Sequence, residues 1–131
     1  MNTAHIAAAL ATQLNTLGYP IEAENAKFTP VAGTLYLREQ LLGDFSPTRP
    51  VAGGVRNISQ GLYQVTVMAP KDGTRTPARN AVSDIESAFA VARQFSKSGV
   101  TVTVLDVTIA AGFTIGDRFA IPVTIAWSAN G

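Results

Sequence analysis

Few residues in this chain have the types and spacing that chemistry needs. His5 is the sole histidine and there are no cysteines, so a thiol nucleophile, a disulfide or a thiolate metal site is excluded outright. Glu22 and Glu24 stand two apart, a spacing that suits paired carboxylates in acid–base work. On a strand the same spacing more often marks a solvated face or a charged edge. No P-loop, no G-x-G-x-x-G and no G-x-S-x-G elbow occurs, and Gly53-Gly54 lacks the surroundings of a phosphate cradle. Catalytic, cofactor-binding and metal-binding residues are therefore assigned to none. The basic residues remain. Arg49 and Arg56 lie in a Gly- and Pro-rich stretch, and Lys71, Arg75 and Arg79 cluster where a helix is expected to begin. Cations at a helix N-terminus oppose its dipole, and become sensible when a negative surface faces them. Singly, each is more often ordinary solubilising charge.

The elements that must position these residues follow from periodicity. Ile6, Leu10, Leu14 and Leu17 recur at helical spacing behind Thr3, and Gly18 and Pro20 end that helix. Ile21–Asn25 reads as a short strand. Leu35, Leu37 and Leu41 alternate against Tyr36, Arg38 and Gln40, and Glu39 breaks the apolar set as at a sheet rim. Residues 43–59 read as a long irregular loop between two strand arms, the second carrying Tyr63, Val65, Val67 and Ala69 on one face. Hairpins usually close in about 2–5 residues, so a loop of that length points to a docking surface. Thr76-Pro77 predicts a cap and first turn, and Ala78, Val82, Ile85, Phe89, Ala92 and Phe95 predict a helix from Pro77 to about Ser98. Val100–Val104 alternates, then the phase flips at Leu105, which predicts a bulge or burial on both faces. Phe119, Ile121, Val123, Ile125 and Trp127 alternate cleanly, with Pro122 arguing for an edge or a bulge. The expected order is α-β-β-β-α-β-β. Residues 1–131 form a single α+β domain: a mainly antiparallel or mixed sheet, two helices packed on one face, and a long protruding hairpin loop.

The totals bound the partners. The net charge is +1, so no overall field draws the chain to nucleic acid or acidic lipid. Charged residues make up 15% of the chain, against roughly 25% in a typical soluble domain, and the mean hydropathy is +0.19. A surface this poor in charge is explained most simply by a covering partner, and like subunits are the usual cover. Apolar runs break well before the length of a membrane span, and no basic region precedes the first apolar run, so neither a span nor a signal peptide is expected.

An ordered set of strings carries a resemblance. Glu24-Asn25, Phe28-Thr29-Pro30, Gly33-Thr34-Leu35-Tyr36-Leu37-Arg38, Gly61-Leu62-Tyr63-Gln64-Val65 and Gly73 before a long helix follow an opening helix that ends in Gly-Tyr-Pro. Together they resemble the tail terminator proteins of long-tailed bacteriophages, over most of the chain. The resemblance implies a structural virion protein with no catalysis and no cofactor. It implies a ring, as a hexamer, at the head-proximal end of the tail. Such a ring stops growth of the tube protein, presents a joining surface to the head-completion or connector protein, and lets genomic DNA pass unread. Assembly would occur in the host cytoplasm. Interface residues on this reading are Tyr36, Arg38, Arg49, Arg56, Lys71, Arg75 and Arg79. Two alternatives stand beside it: another head–tail joining or tube-like ring protein, and a small soluble ligand-binding domain or enzyme using a cleft beside the loop.

Overall fold

The computed structural model describes residues 3–23, 28–29, 33–45, 48–51, 54–71, 75–97 and 99–130; for residues 3, 43–45, 48–51 and 54–59 it describes the backbone alone. The alanine-rich first segment forms α1 (Thr3–Asn15). Its stripe of Ile6, Leu10 and Leu14 is fully buried. A turn follows, with Thr16, Leu17 and Gly18 N–H groups each bonded three residues back, and Gly18 takes a φ of 81°. That left-handed conformation is open to glycine without a Cβ penalty. The helix therefore stops at Asn15, two residues short of the expected Leu17.

Strands β1 (Ile21–Glu22), β2 (Tyr36–Phe45), β3 (Thr48–Val51) and β4 (Gly54–Pro70) come next, then α2 (Thr76–Ala88). The chain closes with β5 (Gln94–Lys97), β6 (Val100–Ile109), β7 (Phe113–Ile115) and β8 (Arg118–Asn130). The sheet order is β1-β2-β4-β8-β6-β5, with β3 paired to β4 and β7 paired to β8. Only β1–β2 among these pairings is parallel. The α+β class and mixed sheet hold, with more strands than the expected order supplied.

Inward residues of β4, β6 and β8 form one apolar face with Trp127, Val65 and Val102 fully buried, and the buried residues of both helices belong to the same core. Gln13 Nε2 donates to the Ala88 carbonyl at 2.8 Å and ties α1 to the end of α2. The opposite sheet face carries a smaller cluster of Tyr36, Met68 and Ala120 with Phe28 packed against it.

Five expectations change. The long loop over residues 43–59 is replaced by strand: β2 runs to Phe45 opposite Gln60, and β3 pairs from Thr48↔Asn57 to Val51↔Gly54. Residues 46–47 and 52–53 of that segment lie outside the described residues. Pro50 is tolerated because β3, among the described residues, pairs on one side only. Glu39 marks no rim either; it sits within β2 and accepts a hydrogen bond from the Tyr63 hydroxyl.

The second helix stops at Ala88, not near Ser98. Phe89 is its C-cap, Ala92 takes a φ of 72°, and residues 94–97 leave the helical path to pair with β6. Phe95 stays apolar contact, now edge-on to Phe89 with centroids 5.9 Å apart. Tertiary pairing here overrides a periodicity that remained helical. The N-cap is Arg75, not Thr76, and no side chain caps it; Pro77 is in the first turn as expected.

Pro122 lies in β8, a central strand, and not at an edge. Its carbonyl accepts the Ala110 N–H at 3.0 Å. The N and C=O of one antiparallel residue point to the same side, so the missing N–H faces the end of β6 where the ladder stops. The pairing with β4 loses nothing. The phase flip at Leu105 is a bulge: the β6–β8 register shifts between Val104 and Asp106.

Candidate assembly interface

Two surfaces gather the residues that could meet a partner. The first lies where α2 begins. Arg75 and Arg79, one helical turn apart through the Arg79 N–H to Arg75 carbonyl bond of 3.0 Å, line a cavity of about 470 Å³ with Val82, Ser83, Ile109, Ala110, Gly112, Phe119 and Ile121. The Arg75 guanidinium sits 5.0 Å from the centroid of the Phe119 ring. Both arginines are exposed, so this end of the molecule offers water two cations above an apolar floor. Lys71 is also exposed, and its N–H donates to the Asp117 carbonyl at 3.1 Å, which joins the end of β4 to the β7–β8 turn.

The second surface is the sheet face away from the helices. Arg38, Gln40, Gln64, Thr66 and the exposed Phe113 and Ile115 border a cavity of about 370 Å³ there. Arg38 Nε donates to Glu22 Oε2 at 2.7 Å. That carboxylate raises the guanidinium above its ordinary value. The pair is exposed enough that it contributes about 0–1 kcal/mol. Tyr36 is only 4% exposed. Its ring packs on Phe28 at 5.0 Å, and the Arg118 guanidinium lies 5.0 Å from it. Arg118 Nη1 also donates to the Thr34 carbonyl at 2.5 Å.

The candidate residues thus separate. Arg75 and Arg79 meet at one cavity; Arg38 lies at another; Tyr36 is inside the subunit beneath it. Arg49 and Arg56 are placed opposite one another by the β3–β4 register. Glu22 is the partner of Arg38, and Glu24 lies outside the described residues. The Arg118–Tyr36, Arg75–Phe119 and Tyr63–Glu39 contacts escaped the sequence reading, because a contact between residues far apart in sequence leaves no local spacing to find. Among the described residues no three His, Cys, Asp or Glu side chains converge as metal ligands do, and no helix is long and apolar enough to cross a membrane.

A family model described as phage tail terminator protein matches residues 5–127. The chain belongs to the phage tail terminator family. That family is a structural one, so the chain is a structural component of the phage tail and hence of the virion. One solved structure, whose name states no function, aligns over 100% of this chain and 97% of its own at 25% identity and a TM-score of 0.79. No curated protein matches the sequence.

Proposed function

We propose that this protein caps the head-proximal end of the tail tube as a hexameric ring. The family match over residues 5–127 carries the reading. The low charged content supports it, since flanks covered by neighbours need few charges. A ring is a heterologous assembly that closes, so each subunit presents two different complementary sides. One ring face docks on the last layer of tube protein. The other lacks the tube's growth surface, so addition of tube subunits ends there. That outer face joins the head-completion or connector protein, and genomic DNA passes through the lumen without being read. Arg75 and Arg79, with Arg38, Arg49, Arg56 and Lys71, are the proposed partner-facing cations. Assembly takes place in the host cytoplasm.

Electron microscopy of tails assembled without this protein tests the reading. Overlong, headless tubes are expected. Tubes of native length without heads would instead assign the chain to the head–tail connector.

A further inference from the structure

The turn after α2 presents apolar surface on a rigid support. The Arg93 N–H donates to the Ala90 carbonyl at 2.9 Å and closes a turn over Ala90-Val91-Ala92-Arg93. The Ala92 N–H donates to the Val104 carbonyl at 2.8 Å, and the Val104 N–H to the Arg93 carbonyl at 2.9 Å, so β6 holds the turn at two points. Ala90, Val91 and Ala92 are all exposed, and Val91, at 61%, is the most exposed large apolar side chain among the described residues. Leu105, which follows Val104 in β6, is 48% exposed. Ala92 alone among the described non-glycine residues has a positive φ. A Cβ is disfavoured there, and such conformations persist where the surroundings impose them, often at contact sites.

The cavity at the start of α2 lies at the other end of β6. Ile109 and Ala110 line it, and Ala110 stands six residues beyond Val104, about 20 Å at strand spacing. Val82, Ile109, Phe119 and Ile121 give it apolar walls, and its volume of about 470 Å³ is ample for the side chains of a docked turn.

Charge divides between the same two ends. Arg75 is engaged with Phe119, whereas Arg79 has no carboxylate within ion-pair distance among the described residues. Glu86 has no cation there either. The two stand seven residues apart, about two helical turns, so they share one side of α2 but exceed the spacing of three or four at which helical neighbours pair. Arg79 borders the cavity, and Glu86 lies in the last turn of α2 before Val91. Asp84, the other carboxylate of α2, already accepts the Tyr19 hydroxyl. Arg93 on the turn is like in sign to Arg79, so the attraction falls to Glu86.

We infer that the Ala90-Val91-Ala92 turn of one copy docks in the cavity of the next, with Glu86 paired to Arg79 across the boundary. This rests on the ring reading and adds which surfaces join. The turn covers the apolar walls, and the carboxylate meets the cation at the rim. Turn and cavity are different surfaces held about 20 Å apart by β6. No copy can therefore dock on itself, and each added copy leaves one turn and one cavity free until the ring closes.

The chain has no cysteine, so Val91→Cys with Ala110→Cys supplies the only thiols. Within one subunit they are too far apart for a disulfide, whose Cα atoms lie about 4.4–6.8 Å apart. Rings of the double variant on tail tubes, oxidised with copper phenanthroline, are expected to run as a ladder of multimers on a non-reducing denaturing gel, and each single variant as monomer. Arg79→Glu and Glu86→Arg are each expected to lose rings, and the two together to restore them. All four positions are exposed, so the wild-type thermal midpoint should be kept throughout. If micrographs show rings but the double cysteine variant stays monomeric on the gel, or if the paired reversals fail to restore rings, the docking is wrong and the ring reading stands. If Arg79→Glu loses rings and Glu86→Arg does not, the cavity receives the tube protein and the docking of a second copy there is wrong. If wild type forms no ring on tubes, both readings fall.

Discussion

The Arg75 guanidinium lies over the face of the Phe119 ring, 5.0 Å from its centroid, and so fixes the uncapped start of α2 to the β7–β8 hairpin. Such contacts contribute about 0.5–1 kcal/mol at exposed sites. Gly112 lies beneath the same ring. A Cβ there would stand 2.3 Å from Phe119 Cζ, well inside contact distance.

Gly112→Ala must therefore displace the Phe119 ring and the cation above it. A loss of about 1–3 kcal/mol in urea unfolding is expected, as for overpacking. In a Phe119→Leu background most of that loss should vanish, because the clashing ring is gone. Equal losses in both backgrounds would show that the glycine matters for another reason.

Phe89 holds the turn that sequence periodicity mistook for helix. It is fully buried, with Tyr63 at 6.0 Å on one side and Phe95 at 5.9 Å on the other. Phe89→Ala is expected to cost about 3–5 kcal/mol by chemical denaturation. A loss below 1 kcal/mol, outside that range, would mean the site collapses and that β5 does not depend on it.

What the sequence revealed follows from the range of each signal. Helical stripes and strand alternation are local, so α1, the start of α2, the β6 bulge and the inward set Ile121–Trp127 were all legible. The end of α2 was not, because Phe95 fits both a helical stripe and a strand, and only pairing with Val102 decides. Pro122 misled because its allowed place depends on which side of β8 has run out of partner. Residues 43–59 misled because their strands have Gly and Pro composition, and the pairing of Thr48 with Asn57 is invisible to any periodicity. Of the candidate interface, the basic residue types were legible. The gathering of Arg75 and Arg79 against Phe119 and Ile109, and the burial of Tyr36, belong to tertiary packing.

Tyr19 and Asp84 give a pH readout of how the turn after α1 meets α2. The Tyr19 hydroxyl donates to Asp84 Oδ2 at 2.6 Å, and the carboxylate raises the phenol from 10.0 to about 12. A folded value above the unfolded one means the contact stabilises the fold fully below pH 10 and is lost as pH rises through about 12. Titration of phenolate absorbance should show this late phase in wild type, and Asp84→Ala should return it toward 10. An unchanged curve in the variant would place the contact outside the solution structure.

The β3–β4 ribbon provides the last test, because it continues past Ile58↔Asn130, the final pairing of β4 with β8. Its four paired positions span about 13 Å at strand spacing. Arg49 stands opposite Arg56 in that register, and like charges directly opposite each other are unfavourable. A partner of negative charge would offset that. Replacing both by Glu keeps the pair alike in sign, so the fold should hold. Contact with a neighbour or the tube should weaken, seen as tails of irregular length and fewer joined heads in micrographs. Tails of native length with heads attached in the Arg49→Glu, Arg56→Glu variant would remove this ribbon from the assembly surface.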